Sequence, residues 1–209
     1  KDIEIFFNDN STIYFANKYF FKKKSSFIKM FINASDSILE VGIGTGDLAA
    51  HYSNGKLTGC DISKNMVDRA KKKLPESILT VCDAEKLHYD SASFDIIVAS
   101  EMIYYLAHPQ KFIFESYRIL KPEGKLILLW GNSYFNFLYN IASYLKLRPI
   151  DPYALQTPSW NDLKKLISSV FRKSSILLYG IGMLGPFNGS NNVFLANCSP
   201  INAVVIRKH

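Results

Sequence analysis

Three glycines at alternate positions, Gly42, Gly44 and Gly46, follow a short apolar run of Ile38, Leu39 and Val41 that is broken only by Glu40. This order constrains the chain more than any other stretch, because it fits a strand buried on both faces, then a turn, then a helix. Glycine lacks a Cβ, so it accepts positive φ and lets a ligand approach the main chain. A helix starting near Thr45 would aim unpaired N–H groups at that ligand. An ordinary glycine-rich turn from strand to helix fits the same residues, so the rest of the chain has to decide between the two.

The strand and helix pattern recurs downstream. Residues 56–61 read as a second strand ending on Asp61, followed by a helix over 63–73 that Ser63 can cap. A third strand over 78–82 leads to Asp83. A fourth over 94–100 is followed by a helix over 110–120, and a fifth over 125–130 follows the turn Lys121-Pro122-Glu123-Gly124. Short alternating strands and helices predict an α/β fold with a parallel sheet, helices on both faces, and a ligand site at the carboxyl ends of the strands. Residues 3–31 hold nine Phe or Tyr and read as one or two helices, residues 48–52 as a helix, and residues 133–148 as an amphipathic helix. A helix over 159–171 and closing strands near 174–179 and at either 192–196 or 203–207 would complete the sheet.

At 209 residues, with 48% hydrophobic and 21% charged residues, the chain fits a single domain. Within it, 1–34 would be a helical lid, 35–131 the cofactor-binding core, 132–158 an aromatic insertion, and 159–209 the closing helix and strands. Cys60, Cys82 and Cys198 stand apart with no C-x-x-C spacing, so neither a disulfide framework nor a metal site is expected, and a reducing cytoplasm is. No apolar run reaches the ~18 residues that a membrane span needs. The net charge of +7 invites a nucleic-acid reading, with its densest runs at Lys22 to Lys24 and Lys71 to Lys73. Lysine runs at helix ends are most often solvated faces, so nucleic acid is disfavoured as a partner.

Asp61 lies nineteen residues after Gly42, where a carboxylate at the end of a second strand can accept hydrogen bonds from both hydroxyls of a ribose. A dinucleotide fingerprint would place its third glycine at position 47. Position 47 is Asp, an acid that would repel a pyrophosphate, and the glycine falls at 46 instead. The spacing argues for an adenosine-containing ligand other than a dinucleotide.

Taken in order, Ile38-Leu39-Glu40-Val41-Gly42-Ile43-Gly44-Thr45-Gly46, Gly59-Cys60-Asp61-Ile62-Ser63 with Met66, Cys82-Asp83-Ala84-Glu85-Lys86-Leu87, Phe94 to Ser100, and Arg118-Ile119-Leu120-Lys121-Pro122-Glu123-Gly124-Lys125-Leu126 resemble a class I S-adenosylmethionine-dependent methyltransferase over roughly residues 35–131. The resemblance implies a Rossmann-like, doubly wound, mostly parallel seven-stranded sheet with an antiparallel strand near the C-terminus. It implies S-adenosylmethionine as cofactor and S-adenosylhomocysteine as product. It also implies roles for single residues. The backbone of Gly42, Gly44, Thr45 and Gly46 would approach the methionine part, with Glu40 supporting the loop. Asp61 would hold the ribose, Ile62 and Met66 would sandwich the adenine, and Asp83 and the Ala84 N–H would meet its edge. Ser100 would offer its carbonyl to the methionine ammonium. Plainer roles fit some of these residues too: Asp83 as a turn cap, Met66 as helix core, Asp95 as a strand-entry residue.

Methyl transfer from a sulfonium releases a neutral leaving group, so holding nucleophile, carbon and sulfur in line in a dry pocket can supply most of the catalysis. A dedicated base is not required. Should one act, the candidates past the fourth strand are Glu101, Tyr104 and His108, with Tyr105 beside them; His108 also reads as a loop histidine before a helix. The base-methylating Asn/Asp-Pro-Pro-aromatic pattern is absent after this strand, and the two-glutamate loop of arginine-methylating relatives is half present, as Glu101. The resemblance therefore implies a small-molecule acceptor and is closest to the branch acting on quinone precursors and other metabolites. An RNA or protein methyltransferase and a non-catalytic cofactor-binding module are the alternatives. Tyr14, Tyr19, Tyr105 and Tyr139, whose polar tips need water or a partner, are expected to line a lid over the acceptor. The same surface could touch a membrane peripherally through Lys146 and Arg148.

Overall fold

The computed structural model describes residues 2–9, 18–53, 55, 57–132, 158–182, 185–187 and 199–209. Two helices, α1 (Asp2–Asp9) and α2 (Lys18–Lys29), precede the first strand. The repeating part runs β1 (Ile38–Val41), α3 (Ala49–Tyr52), β2 (Thr58–Asp61), α4 (Lys64–Lys73), β3 (Ile78–Val81), β4 (Phe94–Ser100), α5 (Pro109–Ile119) and β5 (Leu120–Gly131). It closes with α6 (Trp160–Val170), β6 (Ser175–Gly182), β7 (Gly185–Phe187) and β8 (Ile201–Arg207).

The strands form one sheet in the order β3-β2-β1-β4-β5-β8-β6-β7. β1 pairs parallel with β2 and β4, β2 with β3, and β4 with β5, while β8 runs antiparallel between β5 and β6. The expected seven-stranded, doubly wound arrangement is therefore present, and the three residues of β7 add a short eighth strand on the β6 edge. The order reverses between β1 and β4, and the crevice above that switch point is where open α/β sheets hold ligands.

Side-chain alternation explains why both faces are covered. Leu39 and Val41 of β1, Ile97 and Ala99 of β4, and Leu126 and Leu128 of β5 face α5 and α6, where they meet Phe112, Ile113, Leu163 and Ile167. Their neighbours Ile38, Ile96, Val98, Ile127 and Leu129 face α2, α3 and α4, where they meet Phe27, Ile28, Tyr52, Val67 and Ala70. Each fully buried Leu or Ile contributes about 1.5–3 kcal/mol, and cutting one back to Ala costs about 2–5 kcal/mol through lost contact and a residual cavity.

Four details differ from the sequence reading. The helix after the glycine turn begins at Ala49 rather than near Thr45, because positive φ at Gly44 and Gly46 is incompatible with a right-handed helix. The turn at Lys121 to Gly124 is a register shift inside one long strand, with Glu123 at φ 64°. Cys60 and Cys82 do not stand apart: the parallel pairing of β2 with β3 brings their Cα atoms to 5.7 Å, and the two are joined as a disulfide. Lys24 is not on a solvated face but buried at 7% exposure, whereas Lys71, Lys72 and Lys73 are exposed as expected. Ser63 caps α4 as expected, accepting from the Met66 N–H, and in α6 Ser159 accepts from the Asp162 N–H in the same way. The expected helix over 133–148, the alternative closing strand over 192–196, and Tyr14, Tyr139, Lys146 and Arg148 lie outside the described residues.

Candidate active site

The carboxyl end of the sheet gathers the polar groups. Gly42, Gly44 and Gly46 all have positive φ, at 72°, 53° and 75°, but they do different work. A Cβ on Gly42 would sit 3.0 Å from the Met102 Cβ, and one on Gly46 would sit 3.3 Å from the Ala70 Cα, so both positions are closed by packing. A Cβ on Gly44 would meet nothing within 4 Å among the described residues. Gly44 is thus the point where main chain borders open space.

The loop is held from below by β2. The Gly42 and Ile43 N–H groups donate to the Cys60 carbonyl at 2.8 and 3.0 Å, and the Gly44 N–H donates to Asp61 Oδ2 at 2.8 Å. The other Asp61 oxygen accepts from the Ser63 N–H at 2.9 Å. Burial nevertheless raises the Asp61 pKa, against the lowering effect of those backbone donors. Glu40, one residue before the loop's strand ends, is 2% exposed and accepts from the Tyr52 hydroxyl at 2.6 Å. Burial pushes its pKa to about 8, outweighing the Tyr52 hydrogen bond and the nearby Lys24 charge, and it lifts the Tyr52 phenol well above its ordinary range. Thr45 donates to Asp47, which also pairs with Lys73 at 2.6 Å.

The acceptor half of the rim is built around Glu101, the residue after β4, with φ 57°. Its Oε1 lies 2.7 Å from Lys24 Nζ, while Oε2 accepts from the Tyr104 hydroxyl at 2.6 Å and from the Gly131 N–H at 3.2 Å. Burial works against ionisation here, but Lys24 and the Tyr104 hydrogen bond outweigh it and hold Glu101 below the usual carboxylate range. Ser100 is half-buried at the end of β4, and Met66 is buried in the first turn of α4 beside half-buried Ile62.

The remaining candidates lie to the sides. Asp83 is exposed and accepts from the Glu85 N–H at 2.8 Å, so in this structure it caps a turn, with Ala84 packed on the core behind it. His108 belongs to the same corner: it is exposed, and its N–H donates to Glu85 Oε1 at 2.7 Å. It is Glu101 and Tyr104 that the fold brings together as candidate acid–base groups. The Tyr105 ring meets Tyr104 at 4.8 Å and Phe7 of α1 edge-on at 5.0 Å, while the backbone of Tyr19 lies in α2. Lys24, Tyr52 and Met102 were not legible as site residues. Lys24 shares the i, i+3, i+4 face of Phe27 and Ile28, which is the signal that could have shown it buried.

Known proteins resemble this chain in both sequence and fold. The profile of a family described as a methyltransferase domain matches residues 39–128, from β1 into β5. Over those residues the chain is similar to that methyltransferase-domain family. It is 34% identical over 139 residues to the ubiquinone/menaquinone biosynthesis C-methyltransferase of Rickettsia akari, covering 58% of this chain and 56% of that protein. It is 31% identical over 140 residues to the demethylmenaquinone methyltransferase of Lactobacillus johnsonii, covering 61% and 57% respectively. The chain thus spans a little over half the length of these curated relatives. In fold it is similar to an S-adenosylmethionine-dependent methyltransferase of Thermotoga maritima described as a possible histamine N-methyltransferase, with TM-score 0.69 at 17% identity over 100% of this chain and 95% of that one. That structural neighbour is described as S-adenosylmethionine-dependent, which makes S-adenosylmethionine the molecule to fit against this site. Its residues fit that molecule, because Gly44 leaves room at the main chain and Asp61 is a carboxylate whose burial is relieved when further donors reach it.

Proposed function

We propose that the chain transfers a methyl group from S-adenosylmethionine to a small hydroxylated aromatic acceptor of the quinol type. The observation that carries the site is the open main chain at Gly44 beside Asp61 at the switch point of the sheet; the acceptor class rests on the quinone-pathway relatives. Asp61 would hold the ribose, Ile62 and Met66 the faces of the adenine, and Asp83 and Ala84 its edge. The loop from Gly42 to Gly46 and the Ser100 carbonyl would hold the methionine part, with Glu40 beneath the loop. The cofactor supplies an electrophilic methyl on a sulfonium that departs as a neutral thioether. The protein's part is alignment, exclusion of water, and reception of the proton that the acceptor gives up. Glu101, which accepts from the Tyr104 hydroxyl, would receive that proton with Tyr104.

The N-terminal segment acts as a lid in this reading. Its support is that α1 reaches Tyr105 through Phe7 and also lies against α4, which carries Met66. A polyprenylated acceptor would bring the enzyme to a membrane surface, with Lys146 and Arg148 as the cationic contact; Lys146→Glu/Arg148→Glu should then abolish cosedimentation with anionic vesicles. The reading places the enzyme in the cytoplasm. The Cys60–Cys82 disulfide bears on that placement, because cytoplasmic proteins keep most thiols reduced: thiol titration of the natively purified protein that counts three free thiols would support the cytoplasm, and a count of one, with Cys60 and Cys82 still joined, would argue against it.

The deciding experiment pairs ligand stabilisation with product detection. S-adenosylmethionine should raise the melting temperature and NADH should not, since selective binding to the native state stabilises it. A methyl-labelled cofactor should transfer label to 1,4-naphthohydroquinone. Stabilisation by NADH alone would overturn the cofactor assignment, and labelling of RNA or protein in place of the quinol would overturn the acceptor class.

A further inference from the structure

Among the charged groups whose pKa shifts are resolved at the carboxyl end of the sheet, Glu40 and Asp61 are both pushed toward their neutral forms by burial. Glu101, which is half-buried, goes the other way. The difference is Lys24. Its ammonium is 8% exposed as a side chain and lies 2.7 Å from Glu101 Oε1, reaching the rim from α2, a helix seventy-seven residues away in sequence.

We propose that Lys24 is a positioning residue: from helix α2 it sets a buried positive charge against Glu101, and so couples docking of the N-terminal helix to assembly of the acceptor end of the site. The proposal rests on the reading of this rim as a methyl-transfer site. Its physical basis is the backbone of Glu101. A glutamate at φ 57° is in the left-handed region that side chains rarely adopt, and it persists only where its surroundings impose it. The Glu101 N–H donates to the Leu129 carbonyl at 2.8 Å, and among the described residues its carboxylate accepts from Lys24 Nζ, the Tyr104 hydroxyl and the Gly131 N–H; of these, Lys24 is the one that comes from the N-terminal helices. An ion pair whose cation is buried and whose carboxylate is half-buried is costly to break from the carboxylate's side, because the buried ammonium would stay unpaired.

Lifting α2 therefore removes the cation, lets Glu101 protonate, and frees the turn that presents Tyr104 and the end of β5. The other ionisable groups facing the pair are Glu40 from β1, with Tyr52 from α3 bonded to it and Asp61 from β2 nearby, and Tyr104 from the turn after β4. None of these carries a positive charge that could replace Lys24. In the docked state α2 is fixed by Phe27 and Ile28 in the core, so the helix and the charge arrive together.

The test uses the full chain with Lys24→Met, Lys24→Arg and Glu101→Gln. Infrared difference spectra across pH read the protonated-carboxyl band of Glu101, assigned by its loss in Glu101→Gln. Hydrogen exchange reads the amides of α2 and of residues 101–105. Lys24→Met should raise the Glu101 midpoint by about one pH unit or more and speed exchange at 101–105 roughly tenfold or more. Lys24→Arg should restore both to within about threefold of wild type, since the charge returns. An unmoved midpoint in Lys24→Met overturns the proposal, and so does a Lys24→Arg protein as perturbed as Lys24→Met, which would mean that shape and not charge is at work. Should Lys24→Met fail to fold, Lys24→Met/Glu101→Gln leaves no uncompensated carboxylate and carries the exchange measurement: fast exchange at 101–105 supports the proposal and wild-type exchange overturns it. Calorimetric binding of S-adenosylhomocysteine to the wild type, read separately, tests the methyl-transfer reading itself.

Discussion

The two ends of the same sheet solve opposite problems. At the amino end, Asp95 accepts from the Ser37 N–H, the Ser37 hydroxyl and Lys121 Nζ, and these donors outweigh burial to hold its pKa at about 2. Nearby, Arg118 donates to the Leu87 and Tyr89 carbonyls and pairs with Glu115, and Lys208 donates to the Tyr117 and Leu120 carbonyls. At the carboxyl end, burial raises Glu40, Asp61 and Tyr52, and their partners do not make up the loss. At the carboxyl end the contrast is within the rim itself: Glu40 and Asp61 are left short of donors that a ligand could supply, while Lys24 holds Glu101 and Lys73 holds Asp47 below their ordinary values.

The largest effect that would break this comparison concerns Glu40. Its folded pKa of about 8 lies above the ordinary 4.5, so the folded state binds the extra proton and stability should fall as pH rises through that window, then level off. Relative to Glu40→Gln, wild type should lose on the order of 4 kcal/mol between the two values, measured by urea unfolding at several pH values. Parallel stability curves for the two proteins would show Glu40 to be ionised throughout.

Next come the loop glycines. Gly46→Ala should cost about 2–4 kcal/mol, combining positive φ with a Cβ against Ala70, and Gly44→Ala only about 1–2 kcal/mol. Cofactor affinity should show the reverse contrast, with Gly44→Ala folded yet weakened roughly tenfold or more. Equal affinity in wild type and Gly44→Ala would move the cofactor off this loop. Asp61→Ala should weaken cofactor binding roughly 10- to 100-fold by calorimetry, since ribose hydroxyls lose a charged acceptor and the Gly44 N–H loses its anchor. The smallest effect sharpens the other side. Asp95→Asn should cost about 0.5–1 kcal/mol of stability at pH 7 with cofactor affinity unchanged, and the wild-type advantage should vanish as pH falls from 3.8 toward 2.

Much of the carboxyl rim was legible in the sequence because backbone chemistry dictates it. Alternate glycines, acids closing successive strands and Ser63 before a helix each have one dominant local use, and β1, β2, β4 and α4 fall where their residues place them. What escaped depended on contacts made across the fold. Lys24 looks like part of a solvated run until α2 turns that face to the core, and Cys60 and Cys82 look isolated until β2 pairs with β3. Tyr52 meets Glu40 only because α3 folds back over β1. The start of α3 was misplaced because the pattern does not show that Gly44 and Gly46 both take left-handed backbone.

The antiparallel β8 carries a practical corollary for handling the protein. Because it runs against its neighbours, it delivers Arg207, Lys208 and His209 to the end of the sheet remote from Gly44, where Arg207 and His209 meet Glu123. Phe7, by contrast, sits against Tyr105 on the ligand side. A dye, a surface linker or a fusion partner joined after His209 would emerge away from the cofactor crevice, whereas the same cargo joined ahead of α1 would crowd its entrance.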